Sequence, residues 1–361
     1  MSKIHQNPNN NFFIEITNTK DELVKSVSKN DILTHFEKII TWQNIFFIMG
    51  ISGIWIKYNI ISIASFSIFL VSRWVITAHH VCHGGYDKCD KYPYKRSTFG
   101  VGLRRFIDWF DWFSVDAWKF EHNKLHHYYL NELSDPDLIE QIHEKYLIHN
   151  SFFMKNIKLI FIMTTWRWIY YTSNTFYTCY SKCKTETTLL NNIFFINRDV
   201  SYAFGKVFFP YLIFRFMLTP LCFCLLFGSS YFFYSLINLM LAELFANIYS
   251  FTIVATNHCG SDLYRFYNSD VSENGRIYRA IIGSVNYPYG SDATDFLHGY
   301  LNYQIEHHMF PDLSCLEYKL LAPKIKKICE KYKVNYIQEN VFKRLYKTYK
   351  IYVGIDKMKV F

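Results

Sequence analysis

Two stretches of the chain carry almost no charge. Residues 43–72 hold one charged side chain, Lys57, and residues 207–258 hold two, Arg215 and Glu243. A helix that crosses a bilayer needs about 20 mostly apolar residues, because hydrocarbon satisfies neither charges nor open backbone groups. With its flanks, each stretch is long enough for two passes. The expected architecture is therefore an all-α membrane protein with four transmembrane helices in two hairpins. The first hairpin is expected over residues 42–56 and 61–79, turning at Lys57, Tyr58 and Asn59, with Arg73 snorkelling near its exit. The second is expected over residues 207–227 and 231–257, turning at Gly228, Ser229 and Ser230.

The rest is polar and basic. Residues 1–40 read as a cytosolic N-terminal arm with an asparagine-rich tip, residues 41–335 as the membrane domain, and residues 336–361 as a basic cytosolic tail. Residues 105–130 are expected to be helical. The apolar run 151–171 carries Lys155, Lys158 and Arg167, which favours a helix lying in the interface with its cations snorkelling. Inside the second hairpin, Glu243 is expected to pair with Arg215 on the neighbouring span, since charges within spans face the bundle and find partners.

The net charge of +9 flanks apolar segments. It reads as an excess facing anionic lipid on the cytoplasmic side, not as a nucleic-acid surface. The nine cysteines show no secreted disulfide spacing, and Cys179 and Cys183 have no second pair to complete a zinc site. They read as reduced thiols. The start of the chain has no apolar run behind a basic tip, so no cleaved signal is expected.

Between the apolar stretches lie three histidine clusters: His79, His80 and His83; His122, His126 and His127; His307 and His308. Neutral imidazole is the commonest metal ligand. Residues four apart share a helix face, which joins His79 to His83 and His122 to His126. Adjacent helical residues diverge by about 100°, so His126 and His127 are expected to reach two different metals, as are His307 and His308. His258 closes the fourth expected span and offers a further ligand. Counting passes puts all three clusters on one membrane face, the face that carries nearly all the lysine and arginine. By the positive-inside rule that face is cytosolic. Seven or eight imidazoles exceed what one zinc takes. They suit two ions with open positions, iron being the natural choice for oxygen chemistry. Asp87, Asp135, Asp137, Asp262, Asp292, Glu306 and Asp312 are candidate partners for the outer ring nitrogens. His80 reads as either a supporting or a solvent-facing residue. His5, His35, His143, His149 and His298 read as ordinary histidines.

Three runs carry a family likeness. They are Ala78-His79-His80-Val81-Cys82-His83-Gly84-Gly85; His122-Asn123-Lys124-Leu125-His126-His127 with Asn131 and Asp135-Pro136-Asp137 after it; and Gln304 to Pro311. The chain resembles the membrane fatty acid desaturases, and within them the front-end, linoleoyl-CoA-desaturase-like enzymes with a glutamine in the third histidine box. The resemblance implies a cytosolic helical cap holding a di-iron site that splits O2 and removes two hydrogens from an acyl chain on CoA or a lipid. It implies iron ligands at His79, His83, His122, His126, His127, His307 and His308, with His258 as a further ligand and Gln304 where many relatives have histidine. It implies a separate electron donor of the cytochrome b5 or ferredoxin type, and an integral membrane protein of the endoplasmic reticulum. Lys357 and Lys359 near the end resemble a retrieval signal for that compartment. The chain departs from the pattern at His80, which replaces an aspartate, and at Leu130, which replaces a threonine. It has no His-Pro-Gly-Gly haem motif. Two other functions fit the same clusters: a hydroxylase of acyl, sphingolipid or sterol substrates on the same scaffold, and a zinc-binding membrane receptor or hydrolase with fewer ligands.

Overall fold

The computed structural model of the chain describes residues 8–181, 204–267 and 272–361; His5 and Cys183 lie outside them. Its first two helices are α1, Asn10–Ser26, and α2, Lys29–Ser52. Each begins where a side chain supplies a missing acceptor: Asn9 takes the Phe12 N–H and Ser28 the Asp31 N–H. α1 packs against a later amphipathic helix, Cys315–Lys331.

Three described helices are long and apolar enough to cross a bilayer: α3, Ile60–His83; α4, Phe209–Phe227; and α5, Ser229–Asn257. The expectation of four is corrected among the described residues. The run 42–56 is not a helix of its own. It is the far end of α2, which starts with Lys29, Asp31, Glu37 and Lys38 and stops at Ser52. The fourteen residues after Lys38 span roughly 21 Å at about 1.5 Å per residue, short of a hydrocarbon core of about 30 Å. That apolar end lies antiparallel along α3, where the Ser62 hydroxyl donates to the Met49 carbonyl. α4 and α5 form the expected second hairpin, with a tighter turn. Gly228 alone makes it, at φ 112°, a conformation open to glycine and strained for other residues.

α5 is apolar outside and polar within. Its buried positions include Ser235, Asn238, Ala242, Glu243, Ala246, Asn247 and Ser250, recurring every three or four residues along one face. Small residues let neighbouring backbones approach, and polar ones bond across the contact. Thus Ser67 on α3 donates to the Ala242 carbonyl at 2.7 Å. The Asn238 amide donates to the carbonyls of Ile54 and Ile56 at 2.7 and 2.6 Å, which ties down the turn between α2 and α3.

The helix Phe152–Thr165 exposes Phe152, Phe153, Ile160 and Phe161, as a membrane-facing helix would. Its continuation departs from the snorkelling expectation. Arg167 is 0% exposed, and its Nη2 bonds both oxygens of Asp111 at 2.6 and 2.5 Å. Its Nη1 reaches Glu243 at 3.0 Å. The indole N–H groups of Trp112 and Trp168 donate to the same Glu243 oxygen at 3.2 and 3.3 Å, and the Tyr211 hydroxyl donates to the other. The expected pair between Glu243 and Arg215 is therefore not formed. Tyr211 intervenes: its hydroxyl meets Glu243 while its ring faces the Arg215 guanidinium, 5.1 Å away.

On the histidine side the chain closes with a short parallel pairing of Tyr264–Arg265 with Lys359–Val360. The last residues, Lys357 and Lys359 among them, thus run beside the fold, and the Met358 N–H donates to Glu140 at 3.0 Å. Cys82, Cys89, Cys222, Cys224, Cys259, Cys315 and Cys329 form no disulfide.

Removing one partner from a buried ion pair leaves an uncompensated charge and costs about 3–5 kcal/mol. Arg167→Met leaves two such carboxylates, so thermal unfolding in detergent is expected to show a clear drop in Tm. Arg215→Met, on which no carboxylate depends, is expected to lower Tm far less.

Candidate metal centre

The first histidine pair ends α3. A π-helical segment, Arg73–Ala78, leads into the turn His79–His83, and the turn stops against the loop that follows the third cluster. There Gly85 allows contact: a Cβ on it would lie 2.5 Å from the Leu313 carbonyl oxygen. The second cluster lies on the π-helical segment Lys119–His126 and its first following residue, His127. His258 follows the end of α5, and the third cluster lies on the short helix Gln304–Met309. These four elements meet at one end of the helical bundle.

All nine expected site residues come together: eight histidines fall in two groups with Gln304 beside the second, and His122 and His126, one from each, also meet Asp137. His79, His83, His122, His127 and His307 form one; His126, His258 and His308 form the other. Adjacent histidines divide between them, His126 from His127 and His307 from His308, as the 100° turn per residue requires. In the first group four Nε2 atoms close a ring: His79 to His307 at 2.8 Å, His307 to His127 at 3.0 Å, His127 to His122 at 3.3 Å, and His122 to His79 at 2.9 Å. In the second, the Gln304 side-chain nitrogen stands 2.9 Å from His258 Nε2 and 3.0 Å from His308 Nε2. The two imidazoles are 3.3 Å apart. Because amide oxygen and nitrogen exchange places by a simple flip, Gln304 offers this group either a donor or a ligand oxygen.

The protons decide what such rings can hold. His79 Nδ1 faces the Val75 carbonyl at 3.2 Å, an acceptor, so it carries the hydrogen. The Tyr318 hydroxyl donates to the Phe310 carbonyl at 2.8 Å, so its oxygen accepts from His307 Nδ1 at 3.2 Å. A neutral imidazole has one N–H. The 2.8 Å contact between the two Nε2 atoms therefore sets lone pair against lone pair. Metal–imidazole bonds of about 2.1 Å meeting at right angles put neighbouring nitrogens about 3 Å apart. The ring has the spacing and the chemistry of a coordination shell.

Electrostatics agree. Burial first, and neighbouring imidazoles second, drive His122, His127, His307 and His308 well below the usual histidine range, which keeps them neutral. His126 shifts upward: burial pulls it down, but the Asp135 carboxylate, by charge and hydrogen bond, and the Asp137 carboxylate together outweigh burial. Asp135 Oδ1 accepts a hydrogen bond from His126 Nδ1–H at 2.9 Å, and Oδ2 accepts one from the Asn131 N–H at 2.8 Å. Asn131 holds the left-handed conformation, φ 56°, which asparagine tolerates.

Of the seven acids considered as partners, Asp135 meets a histidine directly and Asp137 stands 3.7 Å from the same ring nitrogen. Glu306 braces the third cluster from behind through Asn286 and Tyr336, at 2.8 and 2.9 Å. Asp87, Asp262 and Asp292 pair instead with Arg96, Arg344, and Lys38 and Lys319. His80 is buried and not solvent-facing, its Nδ1 on the Ile76 carbonyl at 2.8 Å, and it belongs to neither group. His35, His143 and His298 also stand apart, bonded to Tyr300, Lys155 and the Thr294 carbonyl.

Sequence reasoning missed the aromatic groups around the histidines. Trp118 stacks on His122 with ring centres 4.7 Å apart; its place four residues earlier on the same face was a usable signal. Tyr318 gave none, because it arrives from a helix later in the chain. A narrow slot runs inward from His79, His122, His126, His258 and Gln304 between Trp74, Trp118, Trp166 and Tyr171.

The model of the fatty acid desaturase family matches residues 55–340. Among curated proteins, the chain is similar to a probable Delta(5) fatty acid desaturase C of Dictyostelium discoideum, 28% identical over 162 residues, covering 42% of this chain and 32% of that one. It is similar to the fatty acid desaturase 2-like protein of Mus musculus, 41% identical over 49 residues, 14% of this chain and 10% of that one. It is also similar to an NADPH-dependent stearoyl-CoA 9-desaturase of Mycobacterium tuberculosis, 29% identical over 93 residues, 25% of this chain and 22% of that one. The matched stretches thus cover about a third or less of these relatives' length. No solved structure matches.

The two groups predict two bound ions per chain by metal analysis of purified protein. His80→Gln is expected to keep both. Asp135→Asn, which takes the carboxylate from behind His126, is expected to weaken metal retention by about 10–100-fold in a chelator competition.

Proposed function

The chain belongs to the fatty acid desaturase family, and from that premise we propose that it is an O2-dependent fatty acyl desaturase, inserting a double bond into an acyl chain carried on CoA or a lipid. The observation that carries the reading is the position of the histidine groups at the mouth of an aromatic-walled slot.

Two iron ions fit the donor set: His79, His83, His122, His127 and His307 would hold one, and His126, His258 and His308, with Gln304 beside them, the other. Iron bound there would supply the oxidation of an unactivated C–H bond by O2, which acid–base side chains alone do not achieve. The chain's own residues do the rest. Val75, Tyr318 and Asp135 fix the outer nitrogens of His79, His307 and His126, so the inner lone pairs point one way. The tryptophans and Tyr171 hold an apolar chain against the histidines and keep water from the reacting carbons. Electrons come from a separate donor of the cytochrome b5 or ferredoxin type.

The reading makes this an integral membrane protein of the endoplasmic reticulum with its site on the cytosolic face. What supports it is the composition of α3, α4 and α5 together with the excess of lysine and arginine on the histidine side.

Expression in a yeast host fed candidate fatty acids tests the function. Mass spectrometry of lipid methyl esters is expected to find a product two hydrogens lighter than its precursor, absent from a His307→Ala strain. A product one oxygen heavier identifies a hydroxylase instead. No new product with any fed acid, from protein retaining two irons, sinks both.

A further inference from the structure

A second cavity, of about 410 Å³, lies between α2, α3, α4 and residues 106–111 and shares no wall residue with the histidine slot. Its size falls within the range of small-ligand sites. Its rim is apolar and open, with Ile107 76% and Phe214 51% exposed, but its interior is cationic. Arg215 is 9% exposed and its Nε has no hydrogen-bond partner. Its guanidinium meets the faces of Phe66 and Tyr211, at 4.6 and 5.1 Å. Arg73 donates to neutral acceptors: the carbonyls of Asp108 and Ile107, at 2.7 and 3.4 Å, and the Gln43 amide oxygen at 3.4 Å. Among the described residues neither arginine forms an ion pair. The acid in the wall, Asp111, is taken up by Arg167 and the Trp112 N–H.

Charges within a membrane segment are costly and ordinarily find partners. Here two cations share a cavity and lack an anion. Both sit where a span opens into a π-helical segment, Arg73–Ala78 and Phe214–Leu218, a local widening often found at functional positions. Arg215 lies six residues into α4 from Phe209, and the helix continues before Phe209 through Phe204–Phe208.

We propose that this cavity binds the phosphate of an anionic membrane phospholipid, held by Arg215 and Arg73, with its acyl chains leaving past Phe47 and Phe214. A guanidinium fork matches two phosphate oxygens. The apolar rim favours an anion delivered on a lipid over one arriving from water. This inference rests on the membrane-spanning reading above but not on the reaction. A fatty-acid carboxylate shares the anionic amphiphile chemistry, and the test separates the two.

The test uses the full chain in lipid nanodiscs and native mass spectrometry, titrating phosphatidylglycerol, phosphatidylcholine and oleate. The expected result is one phosphatidylglycerol retained per wild-type chain, at least tenfold weaker retention in Arg215→Gln, and weak competition by the other two. Asn44→Trp, which fills the mouth and keeps both arginines, is expected to lose the lipid as well, and decides the matter if Arg215→Gln fails to fold. Equal retention by either folded variant, no retention by wild type, or equal affinity for phosphatidylcholine or oleate overturns the proposal. Alkaline carbonate treatment of membranes checks its basis separately. If the chain is extracted, the spanning reading falls and the inference falls with it; if the chain stays and lipid retention is as expected, both stand.

Discussion

Nitrogen lone pairs facing one another across about 3 Å are the constraint on which the rest of this structure depends. Four imidazoles of the first group are turned inward, two of them by acceptors that occupy their outer nitrogens, the Val75 carbonyl and the Tyr318 hydroxyl. Between His79 and His307, whose outer nitrogens both carry the hydrogen, the contact is repulsive unless a cation lies between the rings. The scaffold must therefore hold distant parts of the chain against that repulsion, and its supports fall at the places where the chain would otherwise splay. Asp135 holds the second cluster, Asn286 and Tyr336 hold Glu306 behind the third, and Gly85 lets the end of α3 close against Leu313.

A second set of buried charges steadies the bundle. Arg167, Asp111 and Glu243 join the helix that follows Phe152–Thr165, the segment near residue 111 and α5 in one contact. Together they carry one positive and two negative charges. Three donors from Trp112, Trp168 and Tyr211 spread the excess, and a bonded network of this kind is less costly than isolated charges. Two of the three elements it joins also wall the histidine slot, through Trp166 and Tyr171 on one side and Val254 and Ala255 on another. A shift in the charge cluster would thus be felt in the slot.

Much of the site was legible in the sequence, because its geometry is local. Spacing of four residues puts His79 with His83, and spacing of one sends His126 and His127, and His307 and His308, to different groups. Both relations follow from helix pitch and survive whatever the tertiary structure does. Pass counting then assigned the clusters to one side, and they meet at one end of the bundle. What was not legible depends on contacts between remote residues. Arg215 and Glu243 looked like partners by depth, but depth does not fix rotation about the helix axis, and Tyr211 stands in the way. Arg167 looked like a snorkelling residue because the carboxylate of Asp111, 56 residues earlier, cannot be seen from a local window. The apolar end of α2 looked like a span because hydropathy cannot tell a complete helix from the second half of one that starts among charges at Lys29.

The two cavities show how one bundle separates two kinds of chemistry. The histidine slot is walled mainly by indoles and a phenol, which bring no cation near the ring nitrogens, with the Asp137 carboxylate at one edge. The lateral cavity holds cations left over after Asp108 has been taken by Arg104 and Asp111 by Arg167. Placed beside the histidines, those guanidiniums would repel any metal cation. Trp74 and Trp109 keep them apart: Trp74 lines the slot and Trp109 the cavity, and both rings pack on Phe113 between them. The aromatic layer thus separates the arginines of the lateral cavity from the histidine groups.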